Sequence, residues 1–144
     1  AFSVINTLMV MAIDTNTRTP IIGNVQGGLS GPAIKPIALL KVHQVYQVCK
    51  AHNIPIIGQG GITTANDALE FIIAGASAVG LGTGLFYDPL LSKKVNDGIV
   101  DYLDTHQLNN LLVISSFAAS NQSPSTITFS VEVIFFNSSG RSSN

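Results

Sequence analysis

Short apolar segments that each run into a glycine turn constrain the fold of this chain most. Residues 54–58, IPIIG, lead into Gln59-Gly60-Gly61, and residues 77–81, SAVGL, lead into Gly82-Thr83-Gly84. Segments of this length that are apolar throughout are typical of parallel strands buried on both faces. Because a helical pattern follows each of them, we predict alternating parallel strands and helices, which is the α/β class.

The first segment, residues 2–8, is apolar and has a polar pair, Asn6-Thr7, near its downstream end. We predict a buried strand here, with the polar pair at the carboxyl edge of the sheet, where sites form. Residues 14–35 are rich in Thr, Asn, Gly and Pro and show no sustained period, so we predict a long loop. Loops of this length within a compact fold are usually functional.

Residues 37–51 show the period of an amphipathic helix, and Pro36 suits its first turn. Cys49 lies on the apolar side of this helix, so we interpret it as a buried structural thiol rather than a nucleophile. The face that we expect to be buried carries Ile37, Leu40, Val45, Val48 and Cys49.

A hydroxyl and a carboxylate at capping distance mark the second helix. Thr64 is suited to the N-cap and Asp67 to the first turn, so we predict a helix over 65–74 that ends at a glycine. We interpret Asp67 and Glu70 as helix-start charges rather than a catalytic pair. A last helix is predicted over about 88–105.

Repeats of strand and helix build open sheets and closed barrels. An eight-stranded barrel typically needs about 250 residues, whereas this chain has 144. If the fold is a barrel, most of it therefore lies outside this chain.

The character of the sequence changes after about Leu112. Residues 111–144 are serine-rich and nearly uncharged and show no helical period, although TITFSVEVIFF at 126–136 alternates as a strand does. Because nothing upstream requires another strand, we predict that residues 111–144 are a non-native extension or a disordered tail.

Composition narrows the classes of function. Hydrophobic residues make up 46% of the chain, charged residues 10%, and the net charge is -1, so a small-molecule site is favoured over nucleic-acid binding. The apolar stretch 71–86 is shorter than the roughly 20 residues of a membrane-spanning helix, and we predict no membrane span.

A single cysteine excludes an internal disulfide framework and favours a reducing, cytoplasmic setting. His43, His52 and His106 lack metal-ligand spacing, and no metal site is predicted.

The glycine clusters at the strand ends predict an anion site. Glycine lets backbone N–H groups approach an anion closely, and a helix start adds a positive end. Two such turns after consecutive strands match the phosphate site that many barrels build after strands 7 and 8. Neither turn has a dinucleotide or nucleoside-triphosphate motif, so the phosphate of a cofactor such as FMN, or of a sugar-phosphate substrate, fits them. The alternative is that these glycines make tight turns and bind nothing.

Several motifs taken together resemble a dihydroorotate dehydrogenase. They are INT at 5–7, GGLSGPAIKPIAL at 27–39 and IPIIGQGGITTANDALEFIIAGASAVGLGT at 54–83, in the family order and at family-like spacing. The motif GGLSGPAIKP is similar to the corresponding motif of class 1B enzymes, whose catalytic subunit binds FMN. The resemblance implies that residues 1–110 are the C-terminal portion of an α/β (β/α)8 TIM barrel, which is incomplete in this chain.

The resemblance also implies an activity, the FMN-dependent oxidation of dihydroorotate to orotate in pyrimidine (UMP) biosynthesis. In class 1B a partner subunit with FAD and an iron-sulfur cluster passes electrons to NAD, and we expect a homo-oligomer for the full-length enzyme. The family's catalytic cysteine lies in the upstream half, and Cys49 is in the wrong segment to replace it. The resemblance therefore implies no catalytic residue here, and a chain that is inactive alone.

Carried over by position, Asn6 and Thr7 would bind dihydroorotate or orotate. The residues that would receive FMN are Ile5, Gly31, Gly60, Gly61, Gly82 and Thr83, with the last four around its phosphate. Two other functions stay open. One is another TIM-barrel enzyme, an isomerase or lyase, that binds a phosphorylated substrate through the same turns; the other is a non-catalytic binding module that uses an exposed sheet edge.

Overall fold

The computed structural model of the protein describes residues 1–111 and 134–135. Short 3-10 turns lie at Pro32–Ile34 and Lys50–His52. In chain order the strands and helices are β1 (Phe2–Val4), β2 (Leu8–Val10), β3 (Ile13–Asp14), β4 (Thr19–Pro20), β5 (Gly27–Leu29), α1 (Lys35–Cys49), β6 (Ile56–Gln59), α2 (Ala65–Ile73), β7 (Ala78–Leu81), α3 (Gly84–Tyr87), α4 (Leu91–Thr105) and β8 (Ile134–Phe135).

A parallel sheet in the order β1-β6-β7-β8 forms the centre of the fold. Val4 lies opposite Gly58 and Gln59 opposite Gly80, so the carboxyl ends of β1, β6 and β7 meet at one edge. Helices α1 and α2 connect these strands and pack against them. The predicted α/β class and the predicted strands before both glycine turns are confirmed.

The first strand is shorter and more exposed than predicted. β1 ends at Val4, and Phe2 is 52% exposed because β1 is an edge strand of the described sheet. The Ile5 N–H still donates to the Gln59 carbonyl at 3.1 Å, but Asn6 and Thr7 lie outside any strand. The chain resumes as β2, so the prediction of one buried strand over residues 2–8 is wrong.

The long loop predicted over residues 14–35 contains short strands. β5 pairs antiparallel with β2, with Met9 opposite Gly28. β4 pairs antiparallel with β3, with Ile13 opposite Pro20. Strands of two or three residues are too short to show a readable period, so their long-range pairing was not visible in the sequence.

The buried face of α1 also differs from the prediction. Ala38, Val42 and Cys49 are buried, which confirms the buried thiol. Ala38 faces the strand end so closely that a Cβ added to Gly60 would stand 2.8 Å from its Cβ. Because both sides of α1 are apolar, this close approach, which favours a small side chain, selects the buried face. The predicted core residues that are exposed instead are Ile37 (43%), Leu40 (54%) and Val48 (71%).

Helices α2 and α4 pack against each other on the outer side of the sheet. The predicted start of α2 is confirmed as a capping box of Thr64 and Asp67, and the helix stops before Gly75, whose φ is +113°. α4 begins later than predicted because α3 and an extended Asp88 precede it. The largest fully buried side chains are Phe71, Ile56, Leu81, Val42, Val79 and Val95.

The serine-rich segment 111–144 lies largely outside the described residues. Its strand Ile134–Phe135 falls within the alternating run 126–136 and pairs in parallel with β7, with Ile134 opposite Gly80. Whether the segment is a non-native extension stays a prediction. Within the described ranges, no helix is long and apolar enough to cross a membrane.

Candidate functional site

The carboxyl ends of β1, β6 and β7 open into a cleft of about 530 Å³. Ligands of α/β folds bind at this end of the strands because loops and free backbone groups converge there. All of the residues that the sequence singled out for substrate and cofactor line this one cleft. They are Ile5, Asn6, Thr7, Gly31, Gly60, Gly61, Gly82 and Thr83.

The turn after β6 requires glycine for reasons of backbone and space. Gly60 has a φ of +132° and Gly61 a φ of +77°. Residues that carry a side chain adopt such angles only with strain. A Cβ on Gly61 would stand 2.6 Å from the carbonyl oxygen of Gly31, whose own φ is +86°. The turn after β6 therefore touches the loop before α1, and both lie against the cleft.

Several backbone N–H groups of the two glycine turns have no acceptor. Among the residues that the structure describes, no hydrogen bond is donated by the N–H of Gly61, Ile62, Thr83 or Gly84. Backbone donors in partly buried places are rarely left without a partner. Two facing turns with free donors are therefore suited to an anion such as a phosphate.

The start of α2 contributes less to this anion site than the sequence predicted. The Asp67 carboxylate accepts hydrogen bonds from the N–H groups of Thr63 and Thr64, each at 2.9 Å. A negative charge thus already lies at this helix start, as is common at capped helices. The free donors at this end of the cleft are therefore the glycine-turn N–H groups, rather than the start of α2.

Gly82 is a glycine that the fold itself does not require. A Cβ added there would meet no atom within 4 Å, and its φ is not in the left-handed region. It lies in the cleft at the end of β7. Open space beside a glycine in a cleft leaves room for a ligand, and this observation fits the predicted phosphate site.

The other end of the cleft carries Asn6 and Thr7, and both residues are exposed. The Asn6 Oδ1 accepts the Thr7 N–H at 2.7 Å, which fixes the Asn6 amide against the backbone of Thr7. Gln59 Nε2 donates to the Ile5 carbonyl at 2.9 Å. Sequence reasoning missed Gln59, although a polar residue at a strand end inside a glycine cluster was a usable signal.

A pair of hydroxyls joins the loop before α1 to the turn after β7. Thr83 Oγ1 donates to Ser30 Oγ at 2.8 Å. Ser30 lies in the GGLSG segment at 27–31, but nothing in the sequence indicated that its partner would be Thr83, which is far away along the chain. This contact helps to bring the predicted cofactor residues Gly31 and Thr83 to the same side of the cleft.

Asp67 is buried, with 8% of the residue exposed, and it carries the strongest electrostatic perturbation near the site. Lys35 Nζ donates to its Oδ1 at 2.5 Å and also contacts Glu70 Oε2 at 3.0 Å. Burial alone would raise the pKa of Asp67, but hydrogen bonds from Lys35, Thr63 and Thr64 outweigh it and lower the pKa to about 2. The same bonds to Asp67 and Glu70 raise the pKa of Lys35.

We expect Asp67 to make the fold less stable in acid. The pKa of Asp67, about 2, lies below the ordinary value of 3.8. The contribution of Asp67 to the free energy of unfolding is therefore fully present at a pH above 3.8 and is lost as the pH falls through about 2. The complete loss is about 2 kcal/mol of unfolding free energy, and about 1 kcal/mol of it falls between about pH 6 and about pH 3. Urea unfolding of the wild type, Asp67→Asn and the exposed-site control Asp97→Asn at about pH 6 and about pH 3 measures it. Asp67→Asn should show a weaker pH dependence than both others, and equal dependences would contradict the assignment.

The family model that matches this chain is that of dihydroorotate dehydrogenase, and it matches residues 1–103. The chain belongs to the dihydroorotate dehydrogenase family. This confirms the resemblance drawn from the motifs at 5–7, 27–39 and 54–83.

Curated relatives of this family member are named dihydroorotate dehydrogenase B (NAD(+)), catalytic subunit. The protein of Brachyspira hyodysenteriae is 54% identical over 109 residues, which are 76% of this chain and 35% of the relative. The protein of Desulforamulus reducens is 58% identical over 101 residues, which are 70% of this chain and 32% of the relative. The chain thus spans about a third of the length of the curated relatives it matches.

Solved structures of the family share the fold of this chain. A crystal structure of the enzyme from Eimeria tenella in complex with ferulenol matches with a TM-score of 0.65 and 28% identity, over 83% of this chain and 31% of that chain. The ligand-free form from Eimeria tenella matches with a TM-score of 0.59. The likeness supports the TIM-barrel fold of the family.

Proposed function

We propose that residues 1–110 are the C-terminal portion of a dihydroorotate dehydrogenase barrel that oxidises dihydroorotate to orotate in pyrimidine biosynthesis. The cleft carries this proposal, because the residues that family resemblance assigns to substrate and to FMN line it together. The order of the strands and the two glycine turns support a position late in the barrel. Residues 111–144 are then a serine-rich extension to the barrel portion.

The phosphate of FMN fits the two glycine turns. Gly60 and Gly61 supply the turn after β6, and Gly82 and Thr83 supply the turn after β7. Backbone N–H groups without acceptors and the open space beside Gly82 support this assignment. Hydrogen bonds from backbone N–H groups to a charged phosphate are short and strong, so such turns provide both affinity and orientation.

Ile5 and Gly31 would contact the flavin portion of the cofactor between the phosphate turns and the substrate end. Gln59 holds the Ile5 carbonyl, which fixes the backbone at this point. When bound, FMN would supply the capacity to accept hydride from dihydroorotate. The chain's own contribution is to bind and orient the cofactor.

Asn6 and Thr7 would bind the dihydroorotate ring. The side-chain amide of asparagine offers N–H donors and an acceptor oxygen. The threonine hydroxyl offers one donor and two acceptor lone pairs, and together these groups suit a ring with alternating amide groups. Cys49 is 4% exposed inside the core and does not line the cleft, so it is unsuited to act as a base there. With the general base supplied from outside this chain, the chain alone would be inactive.

The relatives are named catalytic subunits, which supports a partner subunit. The class 1B resemblance adds that this partner would carry FAD and an iron-sulfur cluster and pass electrons to NAD. We propose that the full-length enzyme also forms a homo-oligomer and works in the cytoplasm, where thiols such as that of Cys49 stay reduced.

A second candidate function is that of an isomerase or lyase with a phosphorylated substrate, because the free N–H groups of the turns would bind the phosphate of such a substrate equally well. Such a protein would bind inorganic phosphate but would not prefer FMN over other phosphate esters.

Gly82→Ala tests the phosphate assignment. The added methyl group enters open space, so we expect no loss of stability, but FMN affinity should fall at least about tenfold, or about 1.4 kcal/mol. Fluorescence titration with FMN measures the affinity, and thermal unfolding measures the stability. The matched control is Gly23→Ala, because Gly23 also has nothing within 4 Å and does not line the cleft. If both variants bind FMN equally well, the phosphate does not lie beside Gly82.

A further inference from the structure

An ion pair outside the cleft holds the turn that follows β6. The Oδ2 atom of Asp67 accepts the Thr63 N–H at 2.9 Å, the Thr63 hydroxyl at 3.0 Å and the Thr64 N–H at 2.9 Å. The other oxygen, Oδ1, accepts Lys35 Nζ at 2.5 Å. One buried carboxylate therefore fixes the two residues that directly follow Ile62.

Lys35 meets the same turn from the opposite side. A Cβ on Gly61 would stand 3.0 Å from the Lys35 Cβ and 3.1 Å from its backbone nitrogen. Lys35 is also the first residue of α1, four residues after Gly31, and the Ile34 N–H donates to the Gly31 carbonyl at 3.1 Å. The lysine thus connects the loop at Gly31, the turn at Gly61 and the carboxylate of Asp67.

The Lys35 ammonium forms its hydrogen bonds outside the cleft. It donates to Asp67 and to Glu70 Oε1, the latter at 3.2 Å, and neither Lys35 nor Asp67 lines the cleft. A lysine in a glycine-rich loop would ordinarily be read as a phosphate ligand. Here its charge neutralises two carboxylates, whose negative field close to the turn would otherwise oppose an incoming phosphate.

We propose that Lys35 and Asp67 are positioning residues that hold the N–H groups of Gly61 and Ile62 ready for a phosphate and so set the preference of the cleft for phosphorylated ligands. This inference rests on the proposed function, since it concerns the same FMN site. The free N–H groups are adjacent to the residues that Asp67 fixes, so a small shift of Thr63 moves them directly. Preorganised donors bind an anion more tightly than donors that must first be ordered.

The test compares FMN with riboflavin, which lacks the phosphate, on the full chain. In Lys35→Met we expect FMN affinity to fall about tenfold and riboflavin affinity to stay unchanged, because the flavin contacts do not involve the ion pair. Lys35→Arg should recover at least part of the FMN affinity, since it keeps the positive charge. Lys94→Met is the control, because Lys94 pairs with Asp88 at the surface and is 64% exposed.

The other outcomes of the titration are also decisive. Equal losses for FMN and riboflavin, together with a lower unfolding temperature, would show a purely structural ion pair and overturn the positioning role. Unchanged FMN affinity in Lys35→Met would overturn it as well.

If the wild type binds neither flavin, the proposed function fails. A titration with inorganic phosphate then tests the positioning role of Lys35 and Asp67 separately. Phosphate should shift the amide resonances of Gly61 and Ile62 in the wild type and shift them less in Lys35→Met. The absence of such shifts in the wild type would overturn the positioning role too.

Discussion

Replacing Phe71 with alanine is expected to remove about 3–5 kcal/mol of unfolding free energy, because the truncation leaves a cavity in the core. Phe71 is fully buried in α2, and a Cβ on Gly58 of β6 would stand 2.8 Å from its ring. Domains are typically stable by about 5–15 kcal/mol, so this variant should be marginal or largely unfolded at room temperature. Urea unfolding followed by circular dichroism measures the change.

Phe86→Ala is the matched control for this truncation. Phe86 is 88% exposed in α3, and surface truncations usually change stability by less than about 0.5 kcal/mol. Comparable losses in the two variants would show that the packing of α2 against β6 does not form the core described above.

Asn6→Ala is expected to impair turnover of dihydroorotate in a hybrid that joins residues 1–110 to the preceding part of the Brachyspira relative. The side chain lies in the cleft beside Thr7, and loss of its hydrogen bonds to the substrate should lower kcat/KM about tenfold to a hundredfold, or by about 1.4–2.8 kcal/mol. FMN content should not change, because the phosphate turns are untouched. Dihydroorotate-dependent dye reduction and flavin absorbance measure the two quantities.

Asn24→Ala serves as the control, because Asn24 is exposed and does not line the cleft. The substrate assignment is wrong if Asn6→Ala and Asn24→Ala have the same kcat/KM. A loss of flavin in Asn6→Ala alone would place Asn6 with the cofactor instead.

Local signals in the sequence were sufficient for much of the fold. Apolar runs bounded by glycine predicted β6 and β7, and the capping residue Thr64 predicted where α2 begins. The glycine turns predicted where the cleft lies, since carboxyl ends of parallel strands share one edge of the sheet. Family resemblance, rather than spacing, added the individual roles of Ile5, Asn6 and Thr7.

Features that depend on distant contacts were missed. The face of α1 was misassigned because Ala38 is selected by its approach to Gly60, which no helical period reveals. The Lys35–Asp67 pair joins residues 32 positions apart, and Asp67 therefore looked like a simple helix-start charge. The short strands β2 to β5 exist through pairing alone, and their sequences carry no alternation.

The most direct test of the central claim is dihydroorotate-dependent dye reduction by the unmutated hybrid of residues 1–110 with the preceding part of the Brachyspira relative. We expect a yellow protein that retains FMN through purification and reduces the dye when dihydroorotate is added. A soluble hybrid that is flavin-free and inactive would rule out dihydroorotate oxidation at this cleft and favour a barrel that binds a phosphorylated substrate of another reaction class.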